Sequence, residues 1–290
     1  MNSMKNALRV ISPIIIYLCV EQVVGFLINF FYTMSIYDSS KEWSQEVENE
    51  LYEALYEMLS KNMILITGVI SAICLLIFYI MMNREWKKRT YYIEETRPVY
   101  VKYLYVAAAS IGLTVAANLA INAFEVFSYA GDYTQIADEL YSEPLYLQIL
   151  IIGILAPVCE ELMFRGLIYE RLTSFSNPRS AMIVTSILFG VFHGTMIQII
   201  YAFFFSLFMI YAYRRAGSFL APVMFHIISN LTCIVLSQID PLSSMGYSIG
   251  IVLFAMIGMY GLYMLKNGHF FTVIHTDNRQ MDRNLGEMQN

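Results

Sequence analysis

Apolar residues in this chain come in blocks of about 20, the length of helix that crosses roughly 30 Å of hydrocarbon. Eight such blocks can be marked: Leu8–Met34, Met63–Met82, Val101–Phe127, Leu145–Ile168, Ala181–Met196, Ile199–Tyr213, Phe219–Leu236 and Met245–Leu265. Lipid offers the backbone no hydrogen-bond partner, so segments of this kind cross it as helices. The expectation is an all-α, polytopic membrane protein, a bundle of about eight transmembrane helices forming one domain over residues 1–290. A polar tail follows over residues 266–290. The first block resembles a signal peptide in its flanking Lys5 and Arg9. Glu21-Gln22 interrupts its apolar core and no A-x-A-like site follows, so it is read as a retained span.

Composition agrees, with 58% hydrophobic and 14% charged residues and a formal net charge of −5. No Lys/Arg-rich polar domain exists for a nucleic-acid partner. The four cysteines, Cys19, Cys74, Cys159 and Cys233, lie inside apolar blocks without CxxC spacing, which reads as small buried hydrophobes rather than a disulfide framework or thiolate metal site. Alternate loops carry 16 of the 18 Lys and Arg, Arg165 counted among them, while the opposite loops carry twelve acids. The positive-inside bias therefore predicts that both termini are cytoplasmic, in a multi-pass protein of a bacterial cell membrane. In the first acidic loop, Val47, Leu51, Leu55, Met58 and Leu59 recur at helical spacing and predict a short amphipathic helix.

Ionisable groups inside membrane helices are costly and mark function. Block four contains Pro157-Val158-Cys159-Glu160-Glu161-Leu162-Met163-Phe164-Arg165. Adjacent carboxylates point about 100° apart on a helix. Glu161 and Arg165, at i and i+4, have the spacing of an ion pair that leaves Glu160 free to face elsewhere. Block five contains Phe189-x-x-x-His193. Block seven contains His226-x-x-x-Asn230, again one helix face. A carboxylate, two imidazoles and an amide are the groups that a water-activating or metal site uses. Pro157 and Pro222 predict helix kinks beside Glu160 and His226.

Depth poses a problem. Counted at 1.5 Å per residue, Glu160 lies about 8 Å from the level of Arg165, His226 about 12 Å from Gly217 and His193 about 20 Å from Ser180. A short hairpin within Ser180–Tyr213, turning near Gly194-Thr195, would bring them together.

Glu160-Glu161-x-x-x-Arg165, Phe189-x-x-x-His193 and His226-x-x-x-Asn230, in this order on separate membrane helices, resemble the three motifs of the CPBP family. These are the CAAX-protease and bacteriocin-processing (Abi) intramembrane proteases. The resemblance covers a core at residues 145–236. It implies an intramembrane endopeptidase cutting a peptide bond near the cytoplasmic face, with Glu160 and His193 polarising the attacking water and His226 and Asn230 facing the scissile carbonyl. Glu161 and Arg165 would be structural partners near the cytoplasmic mouth. A divalent metal, zinc first, is implied by the family's common description as metalloproteases, with Glu160, His193 and His226 as a three-ligand set. A metal-free glutamate mechanism is equally compatible with the residues. The implied partners are the bilayer and a peptide or protein substrate, prenylated or not. Two other functions fit the composition: a non-proteolytic scaffold or bacteriocin-immunity protein, and a small transporter, for which no inverted repeat is visible. HExxH and GxGD motifs are absent.

Overall fold

A computed structural model describes residues 2–37, 44–87, 91–95, 99–123, 141–239 and 244–275. The remainder of the acidic segment before Pro144, Asp240, and the tail beyond residue 275 lie outside the described residues. Nine helices are described: α1 Asn2–Ile36, α2 Gln45–Lys61, α3 Met63–Trp86, α4 Val99–Ala123, α5 Leu145–Thr173, α6 Pro178–Phe192, α7 Met196–Ala216, α8 Leu220–Leu236 and α9 Ser244–Asn267. Six of these, α1, α3, α4, α5, α7 and α9, are long and apolar enough to cross a bilayer. The chain is a polytopic, all-α integral membrane protein.

α2 is the amphipathic helix that the spacing predicts. Ser44 caps it by accepting a hydrogen bond from the Val47 amide, and it buries no residue in the bundle. At 15 and 17 residues, α6 and α8 span only about 22 and 26 Å, short of the hydrocarbon thickness. α6 stops at Phe192, and α7 begins at Met196. Gly194 takes φ +85° to make the reversal, and the Thr195 hydroxyl caps the new helix at Gln198. The hairpin therefore turns where the depth argument requires.

Three packing arrangements hold the frame. At the Arg-rich end, Arg171 of α5 donates from Nη2 and Nε to Glu85 of α3, at 2.8 and 3.1 Å, and from Nη1 to Ser12 of α1 at 3.0 Å. α8 is fastened to α4 through hydroxyls: Ser110 lies 2.9 Å from Ser229 and donates to the Phe225 carbonyl, while Thr114 donates to Ser229 at 3.0 Å. α9 lies against α4 through glycines, since a Cβ on Gly112 would sit 2.3 Å from the Gly258 nitrogen. Interhelical contact in lipid relies on such close approach because apolar burial there drives little association.

Three findings depart from expectation. A two-stranded antiparallel ribbon, β1 Tyr91–Glu95 and β2 Phe271–His275, joins two segments that read only as polar loops. Its Phe271 packs on Gly217, whose φ of +62° ends α7. Pro222 does not kink α8, because it occupies the helix's first turn, where its missing N–H has no intrahelical acceptor to leave vacant. Cys19 faces outward rather than inward, whereas Cys74 and Cys159 are buried.

The α4–α9 contact predicts a contrast between two glycines. Gly112→Leu should destabilise the protein by about 2 kcal/mol or more, since the displaced atoms are backbone. Gly25→Ala, where a Cβ meets nothing within 4 Å, should leave stability equal or slightly higher. Thermal unfolding in detergent measures both.

Candidate functional site

The site is built on α5, whose backbone is unusual. Gln148–Leu155 and Leu162–Tyr169 are π-helical, with i to i+5 hydrogen bonds, and flank a single α-helical segment, Ala156–Glu161, that holds both carboxylates. Such widened turns concentrate at functional sites. In the first π segment the Ala156 amide bonds to Ile151. The next carbonyl, Ile152, would take its bond from residue 157, but Pro157 has no N–H. Asn230 of α8 supplies the missing donor, Nδ2 to the Ile152 oxygen at 2.9 Å.

The two adjacent carboxylates have different surroundings. Glu161 is fully enclosed, and its Oε1 accepts both from Arg165 Nη1 and from His226 Nδ1, each at 2.8 Å. Arg165 is equally enclosed, donates to the Ser206 hydroxyl of α7 at 2.9 Å and lies 4.4 Å over the Phe189 ring. It is interior, not a residue of the membrane surface, because α5 continues as helix to Thr173. That continuation also resolves the depths: Glu160 lies about 20 Å inside the end of α5 and His193 about 22 Å inside the start of α6.

Glu160 opens the other way. Its side chain is 20% exposed and that of His193 19%, with Oε2 and Nε2 4.0 Å apart. Glu160 Oε2 has no hydrogen-bond partner among the described residues. His193 is anchored from behind, its Nδ1 donating to the Phe189 carbonyl at 2.8 Å. A carbonyl only accepts, so Nδ1 carries the proton and the neutral ring presents a bare Nε2 to Glu160. His226 follows the same logic: with Nδ1–H on the Glu161 carboxylate, its free nitrogen is Nε2, directed away from Glu161.

The Phe189 ring is the common floor. It contacts Phe164, His193 and His226 at centroid separations of 4.9, 4.6 and 5.7 Å, besides the Arg165 guanidinium. Phe189 stands in one of the sequence motifs, where spacing alone assigns it no role, and Ser206 stands outside all of them. Ser206 is a lone hydroxyl within the run Phe203-Phe204-Phe205-Ser206-Leu207-Phe208, a visible signal of an interhelical bond.

The structure thus brings Glu160 to His193 and His226 to Glu161. It does not gather Glu160, His193 and His226 into one donor set, and no cluster of three or more His, Cys, Asp or Glu suited to a metal occurs among the described residues. Both imidazoles have the oriented, Nδ1-anchored form that metal ligands take. Their spacing does not fit a three-ligand ion. Asn230 is committed by one amide hydrogen to Ile152.

Two predictions follow from these bonds. Asn230→Ala should cost about 1–3 kcal/mol by orphaning a buried carbonyl, and much less in a Pro157→Ala background, where residue 157 regains an N–H; a thermal-stability double-mutant cycle measures the coupling. Arg165→Met should cost about 3–5 kcal/mol by leaving Glu161 uncompensated, with recovery in Glu161→Gln/Arg165→Met.

Residues 142–232 match one protein-family model, described as "Type II CAAX prenyl endopeptidase Rce1-like". Among curated proteins, the chain is 23% identical over 178 residues to "Putative membrane peptidase YdiL" of Bacillus subtilis (strain 168), covering 60% of this chain and 72% of that protein. It is 25% identical over 136 residues to "UPF0177 protein YxdF" of Lactococcus lactis subsp. lactis (strain IL1403), covering 45% of this chain and 75% of that one. No solved structure matches significantly. The matched region holds all the side chains described above that face Glu160 and Glu161 from α6, α7 and α8. Over residues 142–232, a stretch shorter than half of the chain, this multi-pass membrane protein therefore matches the Rce1-like family model.

Proposed function

We propose that the protein is an intramembrane endopeptidase of the CAAX type, with Glu160 as its general base. The observation that carries this reading is the facing pair of Glu160 Oε2 and His193 Nε2, 4.0 Å apart on side chains about one-fifth exposed, beside a second carboxylate whose Oε1 is paired with Arg165 and His226. Two acceptor atoms at that separation suit one water bound between them. As the water oxygen attacks the scissile carbonyl, one of its protons passes to Glu160, which returns it to the departing amine. His193 orients the water through Nε2 while Phe189 fixes the ring. The remaining Asn230 amide hydrogen is available to the oxyanion, a role that uses no bond already made to Ile152. His226 is held by Glu161 in one tautomer and closes the site on the α8 side. No step in this reading is routed through a metal.

The Lys- and Arg-rich end of the bundle, carrying Arg9, Arg84, Arg171, Arg214 and Arg215, is assigned to the cytoplasm by charge bias. Substrate reaches the site from that side or laterally through the bilayer. Prenylated CAAX peptides and unprenylated precursor peptides are both candidates.

The test is cleavage of a peptide panel, with and without prenyl groups, by detergent-purified wild type and Glu160→Gln, with metal content determined on both. Glu160→Gln should lower kcat/KM by at least about 10²-fold, the usual share of a general base, at unchanged thermal stability. Equal cleavage by both proteins would remove Glu160 from the chemistry. A stoichiometric metal lost together with activity would replace this mechanism by a metal-assisted one. A stable wild type that cleaves nothing would favour the scaffold or immunity reading.

A further inference from the structure

α1 carries an intramembrane carboxylate that the proposed chemistry does not use. Arg9 fixes the position of α1 at the Arg-rich end by donating to Glu85 at 3.3 Å, and Glu21 lies about 18 Å farther along the helix. That is the depth at which an ionised side chain costs at least about 2.5–3.5 kcal/mol. Glu21 is exposed on the helix surface and makes no hydrogen bond or ion pair with any described residue. It lines an open cavity of about 600 Å3 together with Gln22, Gly25, Phe26 and Asn29. α1 leaves this stretch open because it adds little to the core: Val10 and Val24 are its buried aliphatic side chains, while Phe26, Phe30 and Phe31 are exposed.

Tyr17, one turn before Glu21 on α1, packs toward the site. Its ring packs edge-on against Phe192, the neighbour of His193, at 4.9 Å. It lies within electrostatic reach of both Glu160 and Glu21. Tyr17, Glu21, Gly25 and Asn29 stand on successive turns, so Glu21 is about 6 Å beyond Tyr17. An extended peptide advances about 3.3 Å per residue. A substrate strand that leaves Glu160 along this face of α1 covers the turn from Tyr17 to Glu21 in about two residues.

We propose that this face of α1 is a docking wall for the substrate and that Glu21 selects a Lys or Arg side chain within about three residues of the scissile bond. Charge complementarity commits the occupant: an unpaired carboxylate in a low-dielectric cleft attracts a cation and repels an acid. The neighbouring amides of Gln22 and Asn29 offer further hydrogen bonds to the peptide. The inference deepens the peptidase reading and rests on it for cleavage, but not for binding.

Two measurements separate the two claims. The probes are apolar fluorescent peptides carrying a single Lys, Gln or Glu at each position within three residues of the cleavage site. In cleavage, wild type should favour the Lys peptide over the Gln peptide by about ten-fold in kcat/KM, equivalent to about 1.4 kcal/mol. Glu21→Gln should remove that difference, and Glu21→Lys should reverse it toward the Glu peptide. In binding, Glu160→Gln should retain the Lys peptide more tightly than the Gln peptide, and Glu160→Gln/Glu21→Gln should not. Charge preference in binding without any cleavage would keep the docking wall and sink the peptidase reading. Cleavage with no dependence on peptide charge or on residue 21 would sink the docking wall and leave the peptidase. Absence of both would sink both.

Discussion

The contact on which the rest of the site depends is the enclosed Glu161–Arg165 pair. Either group alone in the bundle would cost several kcal/mol, and an uncompensated partner left behind costs about 3–5 kcal/mol. Both are therefore present or neither, and together they recruit the neighbours. Arg165 reaches Ser206 on α7 and the Phe189 ring on α6, while Glu161 reaches His226 on α8. One i,i+4 pair on α5 thus fixes the rotation of three other helices about it. Glu161 is fully enclosed and paired through Oε1, whereas the Glu160 side chain is partly exposed and faces His193, so the division of labour between neighbours one residue apart comes from packing rather than from residue type.

A second constraint is backbone satisfaction. Proline inside a membrane helix removes a donor where no water replaces it. Here the removed donor is that of residue 157 in an i to i+5 register, and the Asn230 amide substitutes for it. The same Asn is the residue that the family resemblance turns toward the scissile carbonyl. Its side chain has two amide hydrogens, so the structural bond and the proposed catalytic one are compatible, and the first positions the second. α8 is held from its other face by Ser229 on Ser110 and Thr114, which leaves His226 and Asn230 little freedom to leave α5.

What was legible in the sequence is what depends on local spacing. The amphipathic period of α2, the i,i+4 Glu161–Arg165 pair and the reversal at Gly194-Thr195 all follow from residues within a few turns of one another. The reversal was legible only because polar groups at incompatible depths demanded it. What escaped depends on contacts distant in the chain or on a change of helical register. The ribbon pairs Glu95 with Phe271, and neither strand has an apolar alternation strong enough to mark it. His226 sits on Glu161 rather than beside Glu160 because the π-helical turns rotate α5 relative to an ideal helix, and no residue count at 3.6 per turn anticipates that. Arg165 was counted with the surface cations because a charged residue near a predicted block end is ordinarily one, and only its enclosure by Phe189 and Ser206 shows otherwise.

The looseness of α1 belongs to the same logic. α5, α6, α7 and α8 are locked to one another by buried polar bonds, whereas α1 is tied by polar bonds at its Arg-rich end, through Arg9, Ser12, Glu85 and Arg171, and beyond it rests on apolar contacts such as Tyr17 on Phe192. A peptide bond buried in a membrane must be brought to a rigid, partly wet carboxylate, and the two demands conflict if every wall is equally tight. Rigidity is concentrated where proton positions matter, around Glu160, His193 and their anchors. The side that must admit a strand is bounded by a helix whose polar bonds lie at one end, with a small residue, Gly25, at the middle of its open face. Access and chemistry are thus carried by different helices, α1 for the one and α5 with its buried partners for the other.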